Sequence, residues 1–208
     1  MTLTNKLNIT NAVELARVEE KLSKIKAHQL FTTGFLDSLE VGTFQSLSII
    51  HHYLFNDIYS FAGKIRDVNI AKGNFRFAPV SYLEISLKNI EQMPQTTYNE
   101  IIEKYIEMNI AHPFREGNGR STRIWLDIIL KKELQVVVDW SDVDKDDYLL
   151  AMERSPIKDI EIKFLLKEAL TTKIDDSSVY MKGIDASYYY EGYTLYETEN
   201  IKNQEIIR

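Results

Sequence analysis

The chain has 208 residues and a mass of 24.2 kDa, which suits one domain of ordinary size or a domain with a short appendage. Hydrophobic residues make up 44% and charged residues 27%, so wholesale disorder is excluded. The absence of Cys excludes a disulfide scaffold, a thiolate zinc site and a cysteine nucleophile. A net charge of −6 argues against nucleic-acid binding over the whole surface.

Targeting and membrane segments are not expected. The first six residues do not lead into the apolar core of a signal peptide. The wholly apolar runs are only a few residues long, far short of a membrane span. The sequence therefore predicts a soluble, cytoplasmic protein.

Three segments carry the apolar periodicity of amphipathic helices. Their apolar residues recur at three- and four-residue steps, with His51 interrupting the second segment: Leu15, Val18, Leu22 and Ile25; Val41, Phe44, Leu47, Leu54, Phe55 and Ile58; and Tyr98, Ile101, Ile102, Tyr105 and Ile106. Residues 124–130 are apolar nearly all round, which predicts a helix buried in the middle of a bundle.

Two more helices are predicted beyond the buried one. The first lies near residues 143–154, begins at Ser141 or Asp142, and ends before the Ser155-Pro156 pair. The second runs through Ile160, Phe164 and Leu165.

The segment 68–78 has a different pattern. Two short alternating runs flank Lys72-Gly73-Asn74, which predicts a β-hairpin. Near the end of the chain, residues 175–178 are suited to cap a helix that runs to about Glu191, with Gly192 as its stop, before a polar, frayed tail. The predicted fold class is therefore mainly α, a helical bundle with one β-hairpin and a C-terminal helix.

The residues suited to anion binding and to proton transfer are concentrated in one run, His112-Pro-Phe-Arg-Glu-Gly-Asn-Gly-Arg-Ser-Thr-Arg123. A Gly-Asn-Gly turn that leads into a helix directs unpaired backbone N–H groups toward one point, where they and the helix dipole favour an anion. Arg120 and Arg123 follow three positions apart, so they are neighbours on the helix surface. Each planar guanidinium can bind a phosphate through two hydrogen bonds.

Two further residues of the run suggest catalysis on a nucleotide. Glu116, beside the anion site, suggests a magnesium ligand because phosphate would otherwise repel it. His112 can accept a proton near pH 7. Each feature alone is more often structural, since a Gly-Asn-Gly turn commonly just connects helices. Their conjunction favours a nucleotide-using transferase, and the missing Gly-Lys-Ser/Thr ending excludes a Walker A loop.

The run matches in full the signature of the Fic family, His-x-Phe-x-(Asp/Glu)-Gly-Asn-Gly-Arg-x-x-Arg. Residues 52–66 also resemble the helix and turn before the family's hairpin, so the resemblance covers about residues 40–170. It implies an α-helical Fic fold and transfer of AMP from ATP to a protein hydroxyl. Relatives that transfer phosphate lack the second glycine of the nest, whereas Gly117 and Gly119 are both present here, which favours AMP transfer.

The resemblance also implies roles for individual residues. His112 would be the general base toward a Ser, Thr or Tyr of the target protein, and Phe114 a core anchor. Mg²⁺ would be held by Glu116 against the α- and β-phosphates. The remaining signature residues would bind ATP: Gly117, Asn118 and Gly119 as the anion hole, with Asn118 near the α-phosphate, Arg120 at the β-phosphate and Arg123 at the γ-phosphate.

The hairpin at 68–78 resembles the family's flap, which clamps the target protein by strand addition. Lys72 at its tip either reaches the nucleotide or is a solvated turn residue, and the sequence leaves both open. No contact with nucleic acid or with a membrane is expected. A homo-oligomer remains compatible with the sequence.

The tail carries Ser187-Tyr-Tyr-Tyr-Glu191-Gly192, which resembles the family's inhibitory motif, (Ser/Thr)-x-x-x-Glu-(Gly/Asn). Its place near the C-terminus resembles class III members of the family. In that arrangement Glu191 would pair with Arg123 and exclude the γ-phosphate. The alternative is that Glu191 only ends a helix that its three tyrosines pack down.

The resulting division of the chain is a Fic domain at 1–172, an inhibitory helix at 173–195 and a frayed tail at 196–208. The leading hypothesis is a self-inhibited protein adenylyltransferase. A secondary hypothesis is that one of Tyr188, Tyr189 and Tyr190 itself receives AMP when neighbouring molecules meet. Two alternatives remain: a de-AMPylase in which Glu191 orients water, and a catalytically idle binding or toxin–antitoxin module.

Overall fold

The computed structural model describes residues 2–72 and 75–190. Eight α-helices lie within these ranges: α1 (Ala12–Thr32), α2 (Phe44–Phe55), α3 (Val80–Gln92), α4 (Tyr98–Ala111), α5 (Asn118–Leu134), α6 (Lys145–Arg154), α7 (Ile160–Glu168) and α8 (Ser177–Tyr190). Short 3₁₀ turns at Phe35–Ser38 and Trp140–Asp142 complete the helical part. The predicted mainly α fold class is confirmed.

Helix α5 forms the centre of the bundle. It packs between α2 and α4, and its segment 124–130 is buried on nearly every side, as its composition predicts. The Trp125 indole is fully buried and donates from Nε1 to the Thr43 carbonyl at 2.9 Å. Asp127 is the one polar residue of this segment. Its carboxylate accepts hydrogen bonds from the backbone N–H of Val138 at 3.0 Å and from the indole of Trp140 at 2.9 Å.

Capping residues explain where several helices begin. Thr97 and Glu100 form a reciprocal capping box at the start of α4. Asp144 caps α6 through the N–H groups of Asp146 and Asp147. The predicted start of that helix at Ser141 or Asp142 is therefore wrong: both residues lie in the preceding 3₁₀ turn, and the later aspartate supplies the cap.

The C-terminal helix α8 packs against α1, α5 and the turn at 140–142. The Tyr180 hydroxyl donates to the Ala27 carbonyl at 3.1 Å, and the Lys24 ammonium lies 2.8 Å from the Asp185 carboxylate. The predicted end of this helix, near Glu191 and Gly192, and the predicted frayed tail lie outside the described residues.

In the part of the chain that the structure describes, two short antiparallel strand pairs accompany the helices. The predicted hairpin is formed by β1 (Ala71–Lys72) and β2 (Phe75–Arg76), with Lys72 paired to Phe75. A second pair, β3 (Val137–Val138) with β4 (Leu170–Thr171), was not predicted. Helix α3 was not predicted either, although Leu83, Leu87 and Ile90 bury one of its faces. Within the described ranges, no helix combines the length and apolarity that crossing a membrane requires.

Candidate active site

The loop that follows α4 begins with a residue in the left-handed backbone conformation. His112 is the C-cap of the helix, with φ 49° and ψ 62°, and its N–H donates to the Met108 carbonyl at 3.0 Å. Its Nδ1 lies 3.2 Å from the Asn109 carbonyl. Because a carbonyl only accepts, Nδ1 carries the proton in the neutral ring and Nε2 is the proton acceptor. The Phe77 ring stacks on the imidazole with centroids 3.6 Å apart.

Glycine at position 117 lets the same loop turn into α5. Gly117 is the N-cap of the helix with φ 76°, in the left-handed region that favours glycine. A Cβ at this position would lie 2.5 Å from the Phe55 ring. The N–H groups of Asn118 and Gly119 open the helix, where no earlier turn supplies acceptors. This end of α5 is therefore suited to an anion.

The loop is closed by a side chain of the signature itself. The Asn118 amide accepts from the backbone N–H of Phe114 at 2.8 Å and donates to the Phe114 carbonyl at 2.7 Å. Phe114 is fully buried and stacks on the His51 ring at 3.8 Å. Asn118 therefore uses its side chain to hold the loop, which leaves its backbone N–H as the group directed toward an anion.

A buried histidine of α2 supports the other end of the loop. The Gly63 N–H donates to Nδ1 of His51 at 2.8 Å, so Nε2 carries the proton and donates to the Glu116 carbonyl at 2.8 Å. Burial lowers the pKa of His51 to about 3. The ring is therefore neutral at pH 7 and acts as a structural support rather than a base.

The two arginines of the signature are buried and have different partners. Arg120 pairs with the Glu19 carboxylate of α1 and, at 2.8 Å, with the Glu116 carboxylate. Arg123 donates from Nε to the Ser187 hydroxyl at 2.7 Å and from Nη2 to the Ser187 carbonyl at 3.2 Å. The Tyr190 ring lies 5.1 Å from the Arg123 guanidinium. Helix α8 therefore occupies the arginine that the family resemblance assigns to the γ-phosphate.

Glu116 suits the role of a magnesium ligand. Its side chain is 36% exposed beside the N-terminus of α5, and its Oε1 also accepts from the Gly117 N–H at 3.0 Å. Mg²⁺ is commonly held by one or two carboxylates together with substrate phosphates and water. A single carboxylate at the edge of an anion site fits that donor set.

One cleft of about 750 Å³ joins these groups. It is lined by His112, Glu116, the Gly117–Gly119 turn and Arg123, and also by Lys72 of the hairpin. Tyr148, Leu149, Met152 and Glu153 of α6 form another wall. Its volume lies within the range of pockets that hold small molecules and cofactors.

A family model for the Fic/DOC family matches residues 43–130, which include α2, the hairpin and most of the signature helix. The chain carries a Fic domain. This match and the complete signature agree with the predicted family; the class III assignment stays a prediction.

Relatives of the Fic domain include named protein adenylyltransferases. The chain is 31% identical over 156 residues to protein adenylyltransferase VbhT of Bartonella schoenbuchensis, covering 69% of this chain and 31% of that protein. It thus spans less than a third of VbhT. A second relative, "Probable protein adenylyltransferase Fic" of Escherichia coli, is 25% identical over 169 residues, which are 76% of this chain and 82% of the relative.

Solved Fic domains share the fold. BepC of Bartonella tribocorum, crystallised with AMPPNP, superposes with a TM-score of 0.66 at 21% identity and covers 82% of this chain and 93% of that chain. A Fic domain from Bartonella quintana with bound ADP also has a TM-score of 0.66, at 22% identity, and covers 86% of this chain and 93% of the other.

The structure brings most of the predicted site residues of the Fic domain together. Phe114 is the buried anchor that the sequence predicts, and Ser187 reaches Arg123 from α8. Arg120 faces Glu116 and Glu19. Glu191 and Gly192 of the predicted inhibitory motif lie outside the described residues, so their predicted roles stay predictions.

Three supporting residues were missed by sequence reasoning: Glu19, His51 and Arg66. Each is buried and binds a residue of the signature or its neighbours from at least 45 positions away. The interruption of an apolar helical stripe by His51 was the available signal, since a polar residue on a buried face needs a partner. For Glu19 and Arg66, no local pattern pointed to the partner.

Proposed function

We propose that the chain is a protein adenylyltransferase that transfers AMP from ATP to a Ser, Thr or Tyr hydroxyl of a target protein. The observation that carries this proposal is the common cleft, in which a histidine with an accepting Nε2 faces the N-terminus of α5. The names of the relatives support the same activity.

The reaction assigns one task to each group. His112 Nε2 accepts the proton of the target hydroxyl while that oxygen attacks the α-phosphorus. The bond from the α-phosphorus to the bridging oxygen breaks, and pyrophosphate leaves. The N–H groups at the start of α5 stabilise the negative charge on the α-phosphate oxygens. Arg120 and Arg123 bind the β- and γ-phosphates.

Glu116 would hold Mg²⁺ in this scheme. When bound, the ion supplies positive charge to the α- and β-phosphates and assists the departure of pyrophosphate. The hairpin offers its outer backbone edge to an extended segment of the target. Such an edge forms main-chain hydrogen bonds with a segment of almost any sequence. Lys72 lines the cleft from this hairpin and is a candidate contact to the nucleotide.

We further propose that α8 inhibits the enzyme within its own chain. Two hydrogen bonds from Arg123 to Ser187 support this, because they occupy the guanidinium that the γ-phosphate needs. Glu191, which the family resemblance pairs with Arg123, follows the last described residue of α8 by one position in the sequence. ATP must then displace α8 from Arg123 before it binds productively.

The test uses α-labelled ATP with Mg²⁺ and a cell lysate as the source of acceptor proteins. The full chain carrying Glu191→Gly should label acceptors about 10²-fold faster than the parent chain, if the closed state is favoured by ~3 kcal/mol. Adding His112→Ala to that variant, or omitting Mg²⁺, should abolish labelling while nucleotide binding by the His112 variant persists.

The other outcomes identify the alternatives. Equal rates for Glu191→Gly and the parent would remove the inhibitory role of the tail. Loss of label from previously modified protein, without new labelling, would identify a de-AMPylase. No labelling by either chain would leave the Fic domain as a binding module. Label on the chain itself, mapped to Tyr188, Tyr189 or Tyr190, would identify self-modification.

A further inference from the structure

Arg66 lies in the segment between α2 and the hairpin, and its guanidinium is buried beneath the catalytic loop. Nε donates to the His112 carbonyl at 2.8 Å, and Nη2 donates to the Ala111 carbonyl at 3.1 Å. The backbone N–H of Arg66 donates to the Pro113 carbonyl at 2.8 Å. One residue therefore binds three successive carbonyls at the end of α4, where helix carbonyls lose their intrahelical partners.

The same guanidinium holds both ends of the hairpin. Nη1 donates to the Val68 carbonyl at 2.7 Å, in the segment that leads into β1. Nη2 donates to the Ala78 carbonyl, in the segment that follows β2. Because a guanidinium is planar and rigid, its donors keep these carbonyls at fixed positions relative to the His112 backbone.

The hairpin also touches the catalytic ring directly. Phe77 precedes the anchored Ala78 and stacks on the His112 imidazole with centroids 3.6 Å apart. A shift of the anchored segment would therefore move the stacked ring as well. The backbone of His112, its side chain and the hairpin thus share one common support.

We propose that Arg66 is a positioning residue that sets the distance between the hairpin-bound target hydroxyl and Nε2 of His112. This inference rests on the proposed adenylyl transfer and extends it to the alignment of the two substrates. In the proposed reaction the nucleotide binds at the other side of the loop, at the start of α5. Loss of Arg66 should therefore impair attack by the hydroxyl more than binding of ATP, since misplacement by about 1 Å can cost roughly 10²-fold in rate.

The experiment compares Arg66→Met and Arg66→Lys in the full chain carrying Glu191→Gly. Transfer of α-labelled AMP to the most strongly labelled lysate protein is measured at saturating Mg-ATP, and binding of a fluorescent ATP analogue is measured separately. Arg66→Met should lower transfer by about 10- to 10²-fold and leave the dissociation constant of the analogue within about twofold. Arg66→Lys, which keeps a cation but not the fork, should recover part of the rate.

Lys64→Met is the matched control because Lys64 is an exposed cation in the same segment, and it should change neither quantity. Transfer by Arg66→Met within about twofold of its parent would overturn the inference. A parallel fall in transfer and analogue affinity in both Arg66 variants would overturn it too, because it would indicate a purely structural role. If Arg66→Met does not fold, the inference is tested with Arg66→Lys instead. The same two quantities are measured, the rate of AMP transfer and the dissociation constant of the ATP analogue. Absence of label with the parent variant would instead overturn the proposed function, and the role of Arg66 with it.

Discussion

At the scale of single residues, buried polar side chains from outside the signature hold the signature loop. His51 donates to the Glu116 carbonyl, and the Glu19 carboxylate binds Arg120 and accepts from the Tyr59 hydroxyl. Burying such groups costs free energy unless each finds a partner, so the network is stable only when complete. The residues proposed to bind phosphate are thereby held in place before any nucleotide arrives.

His51 gives a test of this support through the pH dependence of stability. Its pKa is about 3 in the folded chain because of burial, against an ordinary value of 6.5. Between these values the unfolded chain binds one more proton at this site, so this contribution to stability is present above pH 6.5 and is lost as the pH falls. The free energy of unfolding should decrease by about 1.4 kcal/mol for each pH unit below 6.5.

The measurement is urea unfolding of the full chain in chelator, at several pH values from 7.5 to 4.5. His51→Gln keeps an amide donor and an acceptor but cannot titrate, so its stability should fall less steeply with acid. The comparison uses the difference between the two slopes, in which the other titrating groups cancel. Identical slopes would show that His51 is not held neutral in the folded chain.

The signature residues could be predicted from the sequence because they are contiguous. A turn, a helix start and two arginines within twelve positions define their own geometry. Glu19 and Arg66 could not be predicted, since their partners lie 101 and 46 positions away. Such pairs are set by how the helices pack, which no local pattern records.

At the scale of elements, α8 is held by α1 as well as by Arg123. The Lys24 ammonium is 2% exposed and lies 3.0 Å from the Glu20 carboxylate and 2.8 Å from that of Asp185. The Tyr188 hydroxyl pairs with Ser23. Because α1 contacts both Arg120 and α8, it connects the proposed phosphate site to the proposed inhibitory helix.

Asp185→Asn should therefore increase transfer of AMP without touching the cleft. It weakens the pair with Lys24, which keeps Glu20 as a partner, so the docked state loses about 1 kcal/mol and transfer should rise about fivefold. The check is the initial rate of label transfer by the full chain. Lys182→Gln, on the exposed side of the same helix, should leave the rate unchanged. An unchanged rate for Asp185→Asn would show that the contact between α1 and α8 does not contribute to inhibition.

Element prediction succeeded where the pattern was long and failed where it was short. The stripe of α4 and the apolar segment of α5 define those helices. The strands β3 and β4 have two residues each and lie more than 30 positions apart, so neither carries a readable alternation. The start of α6 was misplaced because three candidate caps, Ser141, Asp142 and Asp144, occur within four residues.

At the scale of the whole molecule, the guanidinium of Arg123 belongs both to the cleft and to the contact with α8. Arg123 lines the cleft that would hold ATP and also binds Ser187. The chain therefore has two states in this proposal, a docked state in which α8 holds Arg123 and an open state in which the γ-phosphate does. A ligand can shift such an equilibrium only through a group that distinguishes the two states.

This competition predicts different responses of ATP and AMP. The apparent dissociation constant of ATP equals its intrinsic value divided by the fraction of open chains, so Asp185→Asn should lower it by the same factor of about five by which transfer rises. AMP has no γ-phosphate and does not need Arg123, so its dissociation constant should stay within about twofold. Both constants are measured by calorimetry on the full chain with Mg²⁺. In an Arg123→Ala background the effect of Asp185→Asn on ATP should disappear, because the contested group is gone. Equal gains for ATP and AMP would instead mean that α8 obstructs the nucleotide as a whole rather than the arginine of its γ-phosphate.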